Sequence, residues 1–435
     1  MITMNEQQQT RSENSSSTEL SARKVGAGSA ALVAAMMVVN AINFGVNIWL
    51  ASVLAPGTFG DISLMVTLLL ISGVLASMLQ LTTCVATMDP TRDATKDVGA
   101  MRLLTNRIGL AGAVALMIAA PQLTTLLNIG NAWALLIMAA GLPVHLQLAV
   151  ERGRLHGELA FGKLTATFLA EGATRALATA AAVLLINDLV TLTLALNAGF
   201  VVSYWVCRPE LGRWSWLNLS SPAGHPELRS TSMGLIAVTL LVNVDLIIAK
   251  VAFDPVTAGG FAALTLAGRI IFFGSWTIQQ TVLPLVNVED GQLGRSSRRR
   301  LFLVGNGLLC VVLVAAAWLG ADIWVDVVYG SAYENITSLV GPYALGTALI
   351  AFAAGVAMLA SLQGNSRPAV GLLLASVVLG GAMLLNSESL QGFVIARNVT
   401  LALAFITIGV VVVATGRNAQ RRIGSRRLGT RGLST

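Results

Sequence analysis

Apolar residues in this chain form long uninterrupted runs separated by short polar segments. An α-helix rises about 1.5 Å per residue, so a run of about 20 apolar residues crosses a hydrocarbon core about 30 Å thick. No run shows the alternation over about ten residues that is typical of a transmembrane β-barrel. At this length the pattern predicts twelve spanning helices, at about 29–53, 63–87, 103–126, 131–150, 164–187, 189–207, 231–253, 260–284, 301–320, 336–361, 368–386 and 390–416.

The composition agrees with a membrane protein. Of the 435 residues, 55% are hydrophobic and 11% are charged, and the mean hydropathy is +0.74; soluble proteins carry about 25% charged residues. We therefore predict an all-α integral membrane protein. Its polar tails, at 1–28 and 417–435, are predicted to be disordered. A stretch rich in Pro, Gly and Ser, at 208–230, is predicted to be a cytoplasmic linker between two six-helix halves, at 29–207 and 231–416.

The positions of lysine and arginine predict the orientation. With the N-terminus inside, 24 of the 28 basic residues fall in the tails and in alternate loops, the pattern of cytoplasmic segments. We therefore predict a multi-pass protein of the cytoplasmic membrane with both termini in the cytoplasm. Basic loops beside anionic lipids account for the net charge of +7, so no nucleic-acid partner is expected.

Cysteine and histidine give no sign of a metal or redox site. The three cysteines, Cys84, Cys207 and Cys310, lie in or at the ends of separate helices without a CxxC spacing. The three histidines are scattered, with no HExxH pattern. We expect no metal and no cofactor.

Four basic residues remain outside this cytoplasmic set. Lys250 is close to the outer end of its helix, where its stem allows the ammonium to reach the interface; an interfacial anchor and a functional residue both stay open as interpretations. Arg175, Arg269 and Arg397 lie roughly 10 to 17 Å deep. A charge at that depth costs about 2.5–3.5 kcal/mol on the mildest scale, so it normally faces a partner or a hydrated cavity.

Two carboxylates are candidate partners for these arginines. Glu171 and Arg175 are four residues apart, the favourable order for an ion pair on one helix face. Asp245 and Arg269 are predicted at similar depth on neighbouring antiparallel helices, whereas Asp245 and Lys250 lie on different faces of one helix. Two interpretations stay open: structural ion pairs that fix helix register, or a hydrated cationic cavity that binds an anion.

The two halves of the chain show a weak internal repeat. The segments 47–80 and 245–280 share a polar residue, a turn of small residues and a glutamine at a spacing of 198 or 199 residues. Six helices per half give both halves the same direction of insertion. A parallel repeat of this kind is typical of transporters with a site between the halves.

Four segments resemble polysaccharide flippases, the lipid-linked oligosaccharide transporters of the multidrug, oligosaccharidyl-lipid and polysaccharide exporter superfamily. The turn between helices 1 and 2 reads LASVLAPGTFGDISLMVTLLL (50–70), and helix 7 with the turn after it reads VNVDLIIAKVAFDPVTAGGFAAL (242–264). The start of helix 5 reads HGELAFGKLTATFLAEGATRALAT (156–179), and the stretch into helix 10 reads IWVDVVYGSAYENITSLVGPYALG (323–346). Where these flippases have a tyrosine in the turn before helix 8, this chain has Phe261.

The resemblance implies a function and partners. It implies two six-helix bundles around a V-shaped cavity that is open alternately to each membrane face. The implied cargo is a lipid-linked oligosaccharide, usually on undecaprenyl diphosphate, moved from the inner to the outer leaflet for surface polysaccharide synthesis. Membrane lipids, polysaccharide polymerase or export proteins, and H⁺ or Na⁺ as coupling ion are the implied partners.

On this hypothesis, candidate site residues fall into three groups. Arginine matches diphosphate oxygens better than lysine does, so Arg175, Arg269 and Arg397 are assigned to the headgroup. Amides that hydrogen-bond sugar hydroxyls are predicted among Asn40, Asn43, Asn47, Gln80, Gln279 and Gln280. Glu171 and Asp245 are the candidate charge-pairing or coupling carboxylates.

Two other functions compete with the flippase hypothesis. A cation-coupled multidrug antiporter of the same superfamily shares the architecture, but the first helix carries asparagines and no carboxylate. A membrane-embedded glycosyltransferase or ligase needs a catalytic domain, for which the predicted outer turns are too short and the inner loops lack a nucleotide-binding motif. We therefore predict that the chain is not an enzyme.

Overall fold

The computed structural model of the protein describes residues 2–89, 91, 93–207, 226–286, 291–361, 367–407 and 409. Side chains are described for these residues except at 2–26, 226–232, 277, 280–286, 291–296 and 361. The predicted C-terminal tail and most of the predicted linker lie outside the described residues. The backbone of 2–26 continues the first helix. The disorder predicted for 1–28 stays a prediction.

The described part of the chain is helical and contains no strand. Twelve of its helices are long and apolar enough to cross a membrane, which confirms the predicted number. The helices are α1 (Ile2–Val53), α2 (Pro56–Met88), α3 (Ala94–Leu126), α4 (Ala132–Gly157), α5 (Phe161–Leu185), α6 (Leu189–Cys207), α7 (Pro226–Ala252), α8 (Pro255–Val286), α9 (Gly291–Leu319), the short α10 (Ala321–Trp324), α11 (Thr337–Ser361), α12 (Arg367–Leu385) and α13 (Leu390–Thr407).

Several helices extend beyond their predicted apolar runs. The additional turns are polar or contain small residues; α3 begins at Ala94, nine residues before the predicted start, and α4 ends at Gly157, seven residues after the predicted end. Hydropathy marks only the part of a helix that lies in hydrocarbon, and a helix that continues into water keeps the same backbone hydrogen bonds. Charged residues close to a predicted boundary therefore lie on helices.

Polar side chains cap helix starts, and irregular turns connect some of the helices. At the start of α6, Asp188 accepts hydrogen bonds from the backbone N–H of Thr191 at 2.6 Å and from its hydroxyl at 2.7 Å, and these bonds hold the pKa of Asp188 below its ordinary value. Between α10 and α11 the chain makes a π-helical turn (Val325–Tyr329) and a 3₁₀ turn (Ser331–Ile336), joined at Gly330 with φ +74°. The Tyr329 hydroxyl donates to the Ala263 carbonyl at 2.9 Å.

The chain forms two compact units. Unit 1 comprises Met1–Asn47, Leu75–Gln122 and Asn131–Ala223. Within it α5 and α4 both pack against α6, and one apolar cluster joins α2, α3 and α4 through Ala76, Leu79, Val98, Met101, Leu146, Ala149 and Val150. Small residues allow close helix approach in membranes, as where Gly172 of α5 lies against Val39 of α1.

Unit 2 comprises Ile48–Val74, Leu123–Gly130 and Gly224–Thr435. In this unit α7 packs against α12, and α11 packs against α8 and α9. The end of α1, the first half of α2 and the turn after α3 also belong to it, although they precede the predicted linker. The predicted division into halves at 29–207 and 231–416 stays a prediction.

Two glycines bring the starts of α2 and α8 into backbone contact. A methyl group at Gly259 would overlap the Pro56 carbonyl, and one at Gly60 would lie 3.1 Å from the Gly259 Cα. We expect Gly259→Ala to destabilise the protein by about 1–3 kcal/mol, the usual cost of overpacking. Thermal unfolding of the purified protein in detergent measures the effect.

Gly274, further along α8, is the matched control, since nothing lies within 4 Å of a methyl group placed there. We expect Gly274→Ala to leave the melting temperature unchanged or raise it, because alanine favours helix over glycine by about 1 kcal/mol. Equal melting temperatures for the two variants would contradict the close contact.

Candidate functional site: buried charges in the spanning helices

An ion pair that is almost completely buried in unit 2 joins α7 to α13. Arg397 donates from Nε to Asp245 Oδ2 at 2.9 Å, and the two residues are 1% and 0% exposed. Tyr343 of α11 donates its hydroxyl to the same oxygen at 2.7 Å. The remaining guanidinium nitrogens bind α11: Nη1 donates to the Tyr343 carbonyl at 3.2 Å and Nη2 to the Thr347 hydroxyl at 3.0 Å. All three nitrogens of Arg397 are therefore engaged within the protein.

Two glycines, Gly268 and Gly346, leave room for this network. A methyl group at Gly346 would overlap Arg397 Nη1, and one at Gly268 of α8 would lie 2.9 Å from the Thr347 hydroxyl. The guanidinium carbon also lies 4.0 Å from the centre of the Tyr343 ring, a cation–π distance. Arg397 is thus enclosed by hydrogen-bond acceptors, an aromatic face and bare backbone.

The predicted pairing of Asp245 with Arg269 is wrong. Asp245 pairs with Arg397 instead, whereas Arg269 donates to the Thr67 hydroxyl of α2 at 2.6 Å and to Asn243 Oδ1 at 3.4 Å. Equal depth on neighbouring helices was the basis of the prediction, but depth does not determine the direction in which a side chain points. Asp245 faces α11 and α13, and Arg269 faces α2.

Arg269 is consequently a buried cation whose hydrogen-bond acceptors among the described residues, Thr67 and Asn243, are neutral. It is 8% exposed, and among the described residues no carboxylate lies within 4.0 Å of its guanidinium. Neutral hydroxyl and amide oxygens solvate an arginine less effectively than a carboxylate does. Arg269 therefore keeps its capacity to bind an anion.

Unit 1 contains a second group of buried charges. Arg175 Nη2 lies 2.8 Å from Glu171 Oε1, which confirms the predicted pair on α5. Arg152 of α4 lies 2.8 Å from the other oxygen of Glu171, and its side chain is 9% exposed. Two arginines share one carboxylate, so this group carries one net positive charge.

Arg152 lies beyond the predicted helix 131–150, and this predicted helix end is wrong. Arg152 lies inside α4, two residues beyond the predicted helix end. Its guanidinium donates to the Thr167 hydroxyl at 3.0 Å and to Ser203 Oγ at 3.1 Å, and it lies 3.8 Å from the centre of the Phe168 ring. A helix extended by two turns would have revealed it, together with Glu151, which is fully buried beside Arg102 and Arg154.

The interpretation of Lys250 as an interfacial anchor is also wrong. Lys250 is 0% exposed, and its ammonium lies 2.7 Å from Asp61 Oδ1. Asp61, two residues before the predicted start of the second helix, is a residue of α2 and is buried. As predicted, Asp245 and Lys250 do not pair with each other, since each has its own partner.

The predicted amides have different environments. Asn47 donates to the Asn43 carbonyl of its own helix at 2.7 Å; Asn43 and Gln80 are half-buried and Asn40 is exposed. Gln279 is buried and donates to Asn306 Oδ1 at 3.1 Å and to the Ala351 carbonyl at 2.8 Å, so it joins α8, α9 and α11. The side chain of Gln280 lies outside the described residues.

The described residues contain no group of His, Cys, Asp and Glu that would hold a metal ion. Cys84, Cys207 and Cys310 are buried and free. The chemistry that the described side chains offer is therefore ion pairing and hydrogen bonding.

Comparison with solved structures identifies the fold. An inward-facing multidrug resistance MATE family transporter of the MOP superfamily matches with a TM-score of 0.64 at 13% identity, over 89% of this chain and 98% of that one. The lipid II flippase MurJ in an inward closed conformation matches with a TM-score of 0.67 at 11% identity, over 88% and 87% of the two chains. The chain shares the fold of these two membrane transporters.

A eukaryotic MATE transporter also has a similar fold, with a TM-score of 0.56 at 12% identity, over 92% of this chain and 98% of that one. No protein-family model and no curated protein matches the chain. At these identities the MOP fold is shared, while the subfamily and the substrate are not given by the comparison. The fold agrees with the predicted transporter architecture of twelve spans.

Neutralising one partner of the Asp245 pair tests its role. We expect Arg397→Met to cost about 3–5 kcal/mol, because Asp245 then stays buried without a counter-charge. The double variant Asp245→Asn/Arg397→Met should be substantially more stable than Arg397→Met alone, since no buried charge remains. Thermal unfolding in detergent of the two single variants and the double variant measures the coupling. Additive effects would mean that the pair is energetically unimportant.

Proposed function

We propose that the chain is a transporter that moves a lipid-linked oligosaccharide with an anionic phosphate or diphosphate headgroup from the cytoplasmic to the outer leaflet. The observation that carries this proposal is an excess of positive charge in the spanning helices. Among the described residues no carboxylate lies within 4.0 Å of Arg269 in unit 2, and the group of Arg152, Glu171 and Arg175 in unit 1 carries one net positive charge. The MOP fold, shared with a lipid II flippase, supports it.

Physical cost explains why such an excess indicates a ligand. A charge at the centre of a bilayer costs several kcal/mol unless it is paired or hydrated. A protein that needs only stability can replace a buried charge by an apolar residue at no loss. Retaining one cation more than the available carboxylates in each unit is consistent with an anion that binds during the transport cycle.

The chemistry of arginine suits a phosphate headgroup. The guanidinium is a planar fork that donates to two oxygens of one phosphate group at once. Arg175 donates from Nε to the Leu196 carbonyl and from Nη2 to Glu171, and Arg269 donates from Nη2 to Thr67 and Asn243. Among the described residues Nη1 of either arginine has no acceptor, whereas all three nitrogens of Arg397 have one. We therefore assign headgroup binding to Arg175 and Arg269 first, and Arg397 to the support of α7, α11 and α13.

A cation-coupled antiporter is the second candidate, and the match to multidrug MATE transporters favours it. The state of the carboxylates weighs against a cationic substrate. Asp61, Glu171 and Asp245 each lie within 2.9 Å of a lysine or arginine nitrogen, so none of the three offers an uncompensated negative charge. Glu171, which lies between Arg152 and Arg175, is the candidate carboxylate for coupling an anion to H⁺ or Na⁺.

Depletion of the protein from cells separates the two candidates. If the chain moves a lipid-linked oligosaccharide, we expect the prenyl-phosphate-linked unit to accumulate and surface polysaccharide to fall. Mass spectrometry of extracted lipids identifies the unit and its sugar. Unchanged lipids together with increased drug susceptibility would instead support the antiporter.

Neutral variants test the assigned arginines. We expect Arg175→Gln and Arg269→Gln each to reduce complementation of depleted cells by about a hundredfold in rate, the effect of losing a charge-assisted contact worth about 3 kcal/mol. Arg300→Gln is the matched control, since Arg300 is exposed at the start of the spanning part of α9. Membrane abundance is measured in parallel, and normal transport by both variants would refute the assignment.

A further inference from the structure

Lys250 is buried near the end of α7 and makes three hydrogen bonds with two residues, Asp61 and Asn128. Its ammonium donates to Asp61 Oδ1 of α2 at 2.7 Å and to the Asn128 carbonyl at 3.0 Å, and the side chain is 0% exposed. Asn128 returns a hydrogen bond from Nδ2 to the Lys250 carbonyl at 3.3 Å. Asp61 uses its second oxygen to accept from the Gly130 N–H at 2.9 Å. The four residues form a closed polar network, here called the Lys250 network.

The Lys250 network joins parts of the chain that are distant in sequence. Asp61 belongs to the first half of α2, and Asn128 and Gly130 to the turn between α3 and α4. Lys250 lies two residues before the end of α7. Since consecutive spans alternate in direction, the turns after α1, α3 and α7 all lie on one membrane face, the predicted outer one. The network therefore fastens three of these turns together.

Backbone geometry supports the same junction. Asn128 has φ +47°, the left-handed region, in which asparagine is tolerated better than most residues. Gly57 lies against Pro255, and Gly60 against Gly259, so the turn after α1 also contacts the turn after α7. The Phe59 ring meets the Tyr333 ring edge-on at 6.4 Å.

The two compact units divide the same helices at nearby positions. Helix α1 passes from unit 1 to unit 2 between Asn47 and Ile48, and α2 passes back between Val74 and Leu75. The outer ends of both helices thus cluster with the C-terminal part of the chain, while their other ends cluster with the N-terminal part. The Lys250 network is the charged contact that holds them there.

A charged contact at this position is reversible. An apolar contact that separates exposes hydrocarbon to water, whereas Lys250 and Asp61 gain hydration that compensates for the lost pair. Both residues lie within two turns of a helix end, so water reaches them when the turns part. A buried ion pair contributes little net stability, which makes it a poor permanent fastening and a suitable temporary one.

We propose that Asp61, Asn128 and Lys250 form a latch that closes the predicted outer side of the protein and that opens once in each transport cycle. Its role in a cycle rests on the proposed transport function; its role in holding the turns together does not. The latch predicts that loss of Lys250 favours separation of the turns after α1 and α7.

A disulfide between these two turns reports on the latch. A Cβ atom at position 57 lies 3.3 Å from the Pro255 Cβ, close to the separation found in disulfides, about 3.5–4.5 Å. In a background with Cys84, Cys207 and Cys310 replaced by alanine, we expect Gly57→Cys/Pro255→Cys to crosslink in membranes under mild oxidation. Thiol labelling on denaturing gels measures the rate.

Latch variants are then added to this pair of cysteines. We expect Lys250→Met to slow crosslinking about tenfold, because the unpaired Asp61 carboxylate favours the hydrated, separated state. Asp61→Asn/Lys250→Met should restore the rate, since no buried charge remains. Asn128→Ala, which removes the returned hydrogen bond and places alanine at φ +47° but leaves the Lys250–Asp61 pair intact, should slow it less. Lys163→Met is the matched control, because Lys163 is exposed.

The outcomes separate the latch from the proposed function. Crosslinking of Lys250→Met and Asn128→Ala at the parental rate would overturn the latch. If the crosslinked protein transports as well as the reduced one, opening is not part of the cycle and the proposal in that form is wrong. If the reduced parental protein moves no lipid-linked oligosaccharide, the proposed function fails, and the crosslinking rates still decide whether the latch exists.

Discussion

The cost of placing charge in hydrocarbon governs the arrangement of these helices. Asp245, Lys250, Arg269 and Arg397 are all 8% exposed or less in spans that are otherwise apolar. Each has fixed polar partners, and those partners come from other helices. Apolar packing alone leaves a helix free to rotate about its axis in a bilayer, because lipid and protein side chains are similarly apolar. The charges remove that freedom, so they set which faces of α7, α11 and α13 meet.

The sequence predicts features that depend on one helix at a time. Twelve spans follow from run length and hydropathy, and the Glu171–Arg175 pair follows from a spacing of four residues. Features that depend on two helices are harder. The partner of Asp245 was misassigned, and the burial of Lys250 was missed, because the rotation of one helix against another is absent from a single sequence. Asp61, only five residues after the start of α2, gave no sign that it would face α7.

Helix ends account for the remaining differences. Arg152 and Glu151 lie just beyond the apolar run of α4, where hydropathy indicates a loop, yet the helix continues for two turns and buries both. Arg152 of α4 lies against Phe168 and Thr167 of α5. Charged residues just after an apolar run, with an aromatic residue on the next helix, are the signal that would have found this site. Within unit 1 this gives Glu171 a second arginine, which changes the charge of the group from neutral to positive and so changes which ligands suit it.

The charges divide between two tasks. The Asp245–Arg397 pair is enclosed by the protein and holds α7 and α13 together, whereas Arg175 and Arg269 each retain donor capacity within their own unit. The MOP fold is shared by proteins described as drug transporters and by one described as a lipid flippase. The sign of the buried charge, more than the fold, therefore distinguishes candidate substrates for this chain.

The bare backbone at Gly268 and Gly346 has a consequence for related sequences. Both positions are free of side chains where Arg397, Tyr343 and Thr347 meet. A chain with alanine at either position has no room for this network, and a chain without Arg397 gains nothing from glycine there. The two glycines, Asp245 and Arg397 should therefore change together among homologues, so that evolution replaces the four as a set or keeps them all.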